Sequence, residues 1–413
     1  MRLPPGLLSL LPLLIGVLLA GCSSAPVAPG ATNGTAGAGK STNGTAAPKL
    51  PPGPPLPRDL ARNHATGWPI SFDEREAKAR IVRLINPTVR DRAGWAEDLY
   101  AAFNHLKIVH GDATYCTAIA IIEQESSFQA DPVVPGLPDI VNKELDRRAE
   151  RYGVPKFLIS QALKTRSKDG RTYEERIATL RTEKQLSDIF DDMIEELPLG
   201  RQLLADYNPV HTGGPMQVSV SFAEQQVRER PYPYPMGRAL RDEVFARRGG
   251  VYFGSAMLLD YPAPYDDLMY RLADYNAGRY SSRNAAFQAA LGRWSDRPLV
   301  PDGDLLRYQN GKPSALPSQV ELALQAMAVP LQMSHAEIRN ELLKEKSAAF
   351  GDSPLYARVF AAAERATGTA LPRQMLPRID LGSPKFERKL TTEGFARRVA
   401  ERQRTCLARG ASI

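Results

Sequence analysis

The sequence predicts a predominantly α-helical body carried behind an export leader and a flexible tether. Three observations point there. Alternating runs of Val, Ile and Thr are nearly absent, so at most short strands are expected. Apolar residues recur at three- and four-residue spacing from about Ser71 onward. The first 70 residues divide into a short apolar run and a low-complexity stretch that cannot bury a core.

The leader opens with Arg2 and runs apolar from Leu7 to Ala20. That is too short to cross a hydrocarbon layer of about 30 Å as a permanent helix, and it reads as a signal peptide. Leu19-Ala20-Gly21-Cys22 follows and resembles the lipobox of bacterial lipoproteins, in which the cysteine sulfur receives diacylglycerol and becomes the new N-terminus. An ordinary secretory signal with a chance cysteine is the alternative. Ser23 and Ser24, with no Asp beside the cysteine, resemble lipoproteins sorted to the outer membrane, so the expected location is the cell envelope, lipid-anchored and facing the periplasm. Residues 23–70 are rich in Gly, Ala, Ser, Thr, Asn and Pro, ending near Pro51-Pro52-Gly53-Pro54-Pro55, and read as a tether.

Order is expected from Ser71, which with Glu74 forms a capping-box pattern ahead of Ile81, Leu84 and Ile85. A second helix follows Asp91 and carries Trp95, Leu99, Phe103 and Leu106. Tyr115 to Phe128 reads as a third, with Ala118, Ile122 and Glu125 at i, i+4 and i+7, so Glu125 shares a buried stripe while Glu123 is turned roughly 200° away. A carboxylate at the end of such a face is desolvated, which raises its pKa toward the range useful to a general acid. Structural carboxylates share that pattern. The segment of about 140–204 is charged but periodic and reads as several helices. His211-Thr212-Gly213-Gly214-Pro215-Met216-Gln217 forces a turn, and Tyr275 and Asn276 end a helix that Gly278 would cap. After Pro298 and Pro301, helical stretches are expected around Val320–Met333, His335–Phe350 and Thr391–Leu407.

With Cys22 assigned to lipid, Cys116 and Cys406 remain in an oxidising compartment. A bridge between them would close nearly the whole folded chain, worth roughly 4–5 kcal/mol in the chain-entropy picture. Two unpaired buried thiols are the alternative, because a sequence gives no distance. The net charge of +7, from 53 basic and 46 acidic residues, is scattered and argues against nucleic acid as a partner.

Other chemistries lack their residues. There is no His-Glu-x-x-His, and His64, His105, His110, His211 and His335 are dispersed, so no metal is expected; of these only His211 stands beside a candidate turn. Neither a Gly-x-Ser-x-Gly elbow nor a phosphate-binding glycine loop is present, and no cofactor is expected.

Taken in order, Glu125-Ser126 with Phe128, Gly214-Pro215-Met216-Gln217 and Tyr275-Asn276-Ala277-Gly278 resemble the motifs of the soluble-type lytic transglycosylases of the lysozyme-like superfamily. Gly254 and Leu258 stand where that family has a glycine and a long apolar residue. The resemblance covers about residues 110–295. It implies a goose-type lysozyme-like domain over 71–300 with a helical insertion at about 140–204, and leaves unaccounted for the helical stretches after Pro301, which read as a C-terminal extension over 301–413. It implies, further, that Glu125 protonates the glycosidic oxygen between N-acetylmuramic acid and N-acetylglucosamine in peptidoglycan. The same carboxylate then acts as base on the muramic C6 hydroxyl, leaving a 1,6-anhydro end. Ser126, Gly214, Met216, Gln217, Tyr275 and Asn276 would bind or orient the glycan.

Two departures stand out. Glu125 and Gln217 lie 92 positions apart, which makes the segment between them an insertion with structure of its own, able to roof a groove, dock a cell-wall protein or merely decorate the fold. Asp274 stands where the family commonly has a small residue; facing the cleft it would supply the second carboxylate that a hydrolytic muramidase, the first alternative, requires, but beside Tyr275 on a helix it is expected to point elsewhere. A non-catalytic wall-binding or scaffolding lipoprotein on the same fold is the second.

Overall fold

A computed structural model describes residues 73–153, 155–196, 208–237, 239–309, 311–381 and 390–411. The leader, Cys22, the tether, Ser71 and the end of the expected insertion lie outside the described residues. Within them the chain is predominantly helical: seventeen α-helices and three two-stranded antiparallel hairpins, each strand two residues long. No described helix is long and apolar enough to cross a membrane. Two compact units emerge, one from the described parts of Pro69–Met257 with Arg402–Ile413, the other from Leu258–Glu401. The sequence had suggested a boundary near residue 300 with everything beyond it appended. The structure moves the boundary to Leu258 and returns the last ten described residues to the first unit.

In the first unit, α1 (Glu74–Leu84) begins at Asp73, whose carboxylate accepts from the Glu76 amide at 3.0 Å, so Asp73 and not Ser71 is the N-cap. Its Ala77, Ile81 and Leu84 pack on α2 (Arg92–Leu106), which buries Trp95, Leu99, Phe103 and Leu106. Next comes α3 (Asp112–Ser126), of which every residue from Thr114 to Ile122 is buried. A helix enclosed on all sides has no outward face, so the expected division of Glu125 inward and Glu123 outward does not hold. Both carboxylates, and Gln124 between them, are half-buried at the helix's C-terminal end.

The segment 137–196 folds as α4 (Leu137–Tyr152), α5 (Lys156–Leu163), α6 (Tyr173–Ala178) and α7 (Glu183–Glu196). Leu137, Tyr173, Ile177, Leu180 and Ile189 give it a small core of its own, as the length between Glu125 and Gln217 required. Strands β1 (Thr212–Gly213) and β2 (Val218–Ser219) form a hairpin with Gly213 opposite Val218. It leads into α8 (Val220–Glu229), α9 (Leu240–Phe245) and α10 (Arg247–Leu259).

The second unit is built on α11 (Leu268–Ala277) and α12 (Ser281–Ser295), with α13 (Gln319–Ala326), α14 (Ala328–Leu331), α15 (His335–Leu342) and α16 (Pro354–Thr367). Phe287 of α12 lies within 5.1–6.3 Å of the rings of Phe350, Tyr356 and Phe360, and buried Leu324, Ile338 and Val359 share that core. Each such side chain contributes about 1.5–3 kcal/mol of burial, which is why residues 258–300 belong with the later helices.

Two sequence expectations are corrected here. The run 320–333 breaks at Met327, and 335–350 stops being α-helical after Leu342. Helix α16 was not anticipated, although Ser353 as N-cap, Pro354 at the first turn and Gly368 after the last are a legible start and stop. The final helix, α17 (Thr392–Ala411), is 20 residues long.

Candidate functional site

Glu125 stands in the last turn of α3, a turn with no basic residue and two acidic ones, Glu123 and Glu125, against the negative end of the helix dipole. The chain then leaves abruptly. Ser127 and Phe128 both take positive φ, 51° and 62°, and neither is glycine. A left-handed residue with a Cβ costs about 1–2 kcal/mol, so this exit is held by its surroundings. The Phe128 ring meets Trp95 edge-on at 5.1 Å, and the Arg247 guanidinium covers Trp95 from 5.3 Å. Arg247 is fixed in turn by Asp91 at 2.6 Å and Asp98 at 2.5 Å. Burial pushes the Asp98 carboxyl up, against the pull of Arg247.

Ser126 is buried and its hydroxyl donates to the Ile122 carbonyl at 3.0 Å. Its proton is committed to the helix backbone, so it braces the turn. Arg402 of α17 grips the same turn: Nη1 donates to Glu123 at 3.1 Å and Nε to Gln124 at 3.2 Å. The Cys116–Cys406 disulfide joins α3 and α17 further along, with the Cα atoms 5.5 Å apart.

The hairpin's tip, Gly214-Pro215-Met216-Gln217, is held by close backbone approach. A Cβ on Gly214, which has φ 73°, would lie 2.1 Å from the Val244 carbonyl oxygen, and one on Gly250 would lie 2.4 Å from the Pro215 ring. Met216 is fully buried with its sulfur against Gly254, where a Cβ would meet it at 2.3 Å. So Met216 anchors the hairpin to α10 and does not contact sugar, contrary to expectation. Gln217 alone of the tip is half-buried rather than buried; it has φ 52°, and its Nε2 donates to the Gly214 carbonyl at 3.4 Å.

The insertion is tied at both ends to these two pieces. The Val134 amide donates to the Arg181 carbonyl at 2.8 Å, and Thr182 donates to Asp131 at 2.9 Å, six residues past Glu125. At its far end Asn208 donates to Ser187 at 3.0 Å and Asp191 at 3.2 Å, and the Arg241 guanidinium donates to the Val210 carbonyl, just before the hairpin.

The third motif lies in the second unit. Tyr275 is buried, and Asn276 is half-buried with its side-chain Oδ1 accepting from the Thr392 hydroxyl at 3.2 Å. Asp274 is fully buried. One oxygen accepts from the Ser282 amide at 2.7 Å, and the other from the Tyr280 amide at 2.8 Å and the Tyr261 hydroxyl at 3.1 Å. Burial pushes its carboxyl up to about 7 in spite of those bonds. It caps the entry to α12 from a fully buried position, with two of its three bonds made to backbone amides. Among the described residues no group of three or more His, Cys, Asp or Glu side chains could hold a metal ion.

A family model described as a protein of unknown function (DUF1615) matches residues 88–409, a span that takes in Glu125, the hairpin, Asn276 and Arg402. The chain belongs to this family. A relative from Escherichia coli (strain K12), described as uncharacterized protein YaiW, is 49% identical over 330 residues, covering 80% of this chain and 89% of its own length. No solved structure matches. The DUF1615 span therefore covers both units and includes Arg402, which no sequence motif marked. Arg402 lies 279 positions from Glu123, and only the disulfide pattern hinted that the two helices meet.

Proposed function

We propose that this DUF1615 protein is a lysozyme-like peptidoglycan lytic transglycosylase, held by lipid at Cys22 in the outer membrane and facing the periplasm, with Glu125 as acid and then base. The observation that carries the reading is the contact between Met216 and Gly254. These two residues of the resemblance stand 38 positions apart, and they form one close-packed joint in the unit that holds Glu125. Support also comes from the half-buried setting of Glu125 beyond a fully buried helix, a place where a carboxylate reaches a ligand while its backbone is rigid. Gln217 is the remaining tip residue able to offer an amide to an N-acetyl sugar, and the insertion attached at both Asp131 and Asn208 is the natural place for a cell-wall protein partner to dock.

In this scheme Glu125 gives its proton to the leaving glycosidic oxygen as the bond to the anomeric carbon breaks. It then takes the proton of the muramic C6 hydroxyl as that oxygen closes on the anomeric carbon. No water is consumed and one carboxylate serves both steps. The hydrolytic muramidase is less favoured, since Asp274, its named second carboxylate, is fully buried and accepts from the Tyr280 and Ser282 amides.

The test is mass spectrometry of muropeptides released from purified sacculi by the protein and by its Glu125→Gln form. Anhydro-muramyl products from the first and a loss of at least about 100-fold in the second are expected. Reducing-end products would mean water is the nucleophile. Binding without products would favour a scaffolding role, and equal release by the Gln form would remove Glu125 from the chemistry.

A further inference from the structure

The last described helix returns to the unit that contains Glu125 and touches it along one face. Arg402, Cys406 and Arg409 are spaced i, i+4 and i+7. Arg402 takes Glu123 and Gln124, Cys406 is bonded to Cys116, and Arg409 donates to the Leu84 carbonyl at 2.8 Å. Gln403 adds a bond to Thr117 at 3.2 Å. A Cβ on Gly410 would stand 2.8 Å from the Leu84 side chain, so the approach is close to the helix's end. Of these contacts only those of Arg402 reach the turn that bears Glu125.

Resting on the reading of Glu125 as the acid, we infer that Arg402 is a positioning residue, which sets the direction of the Glu125 carboxylate by gripping the two residues before it. The guanidinium is a rigid planar fork, and here two of its nitrogens hold consecutive side chains of one helical turn. Two contacts on adjacent side chains brace the end of α3, beyond the stretch that burial already holds, against α17. The turn needs such an anchor. It ends in two positive-φ residues with side chains, and its carboxylates oppose the helix dipole with no basic residue of its own. The Arg402 side chain is 38% exposed, so the ion pair itself adds little to stability. Its effect lies in geometry: a displacement of about 1 Å at a reacting group is enough to cost about 100-fold in rate.

The experiment compares the full-length protein with its Arg402→Met and Arg402→Lys forms. Two quantities are read: hydrogen exchange of the amides of residues 123–128, and kcat and KM for release of muropeptides from sacculi. The Met form should keep its melting temperature and KM, lose about 10–100-fold in kcat, and exchange those amides at least about tenfold faster. The Lys form, whose single ammonium nitrogen lacks the planar fork, should fall between. Unchanged exchange in the Met form, or a loss of kcat no larger than its loss of folded protein, overturns the role of Arg402 even if the wild type cleaves well. A wild type that releases nothing, with exchange still accelerated by the Met change, overturns the catalytic consequence through the failure of Glu125 as acid. The two failures are thereby told apart.

Discussion

Replacing Gly254 by alanine tests how the hairpin tip is held. The added Cβ would sit 2.3 Å from the Met216 sulfur and 2.6 Å from the Met216 Cβ, against ordinary contacts of about 3.5–4.0 Å. The sulfur is at the end of a flexible chain and can swing aside, but the Met216 Cβ is fixed to the backbone, so the tip must retreat by about 1 Å. Overpacking of that kind costs about 3 kcal/mol, and alanine in place of glycine inside α10 returns about 1 kcal/mol, for a net loss near 2 kcal/mol. Met216→Gly alone removes both the thioether and the Cβ from a fully buried site and should cost about 3–6 kcal/mol. In the double variant the new methyl at 254 no longer meets a Cβ at 216, so the overpacking disappears and the double loss should fall short of the sum by about 2–3 kcal/mol. Urea unfolding followed by tryptophan fluorescence reads all three, with Trp95 reporting from the same unit. Losses that add within about 0.5 kcal/mol would refute the joint, and with it the observation on which the proposed function leans most.

Two further predictions follow from buried groups. Changing Cys116 and Cys406 together to serine removes a link between residues 290 apart and should lower stability by about 2–5 kcal/mol, read as a drop in melting temperature that the wild type reproduces only under reductant. Asp274 has its carboxyl raised to about 7 in the folded chain, so the folded state holds that proton more tightly than the unfolded one. Its contribution is fully present below about pH 3.8 and is lost as pH rises toward 7, by up to about 1.4 kcal/mol per pH unit. Asp274→Asn, which does not titrate, should therefore gain on the wild type between pH 5 and pH 8. Urea midpoints that keep a constant gap across those two pH values would show that the carboxyl is not raised.

Much of the helical fold was legible in the residues. The stripes of α1 and α2, the helical character of the segment after residue 140 and the need for structure between Glu125 and Gln217 are all local signals, because a helix's period is decided within a few residues, although the cap read at Ser71 fell two residues short of Asp73. The candidate acid was legible too, as a carboxylate closing an apolar run. Face assignment failed at α3, since periodicity separates inside from outside only for a helix with a solvent side, and α3 has none along Thr114–Ile122.

Sequence alone settled that this is a helical chain with a glycine turn and a carboxylate at the end of an apolar helix. Tertiary structure decided what those residues do for one another. It put Met216 into the hollow left by Gly254, spent Ser126 and Asp274 on backbone partners, and brought Arg402 across 279 positions to Glu123. Whether two such distant residues meet depends on how whole helices pack, and helix packing is set by the sum of many small burial energies that no short run of residues carries.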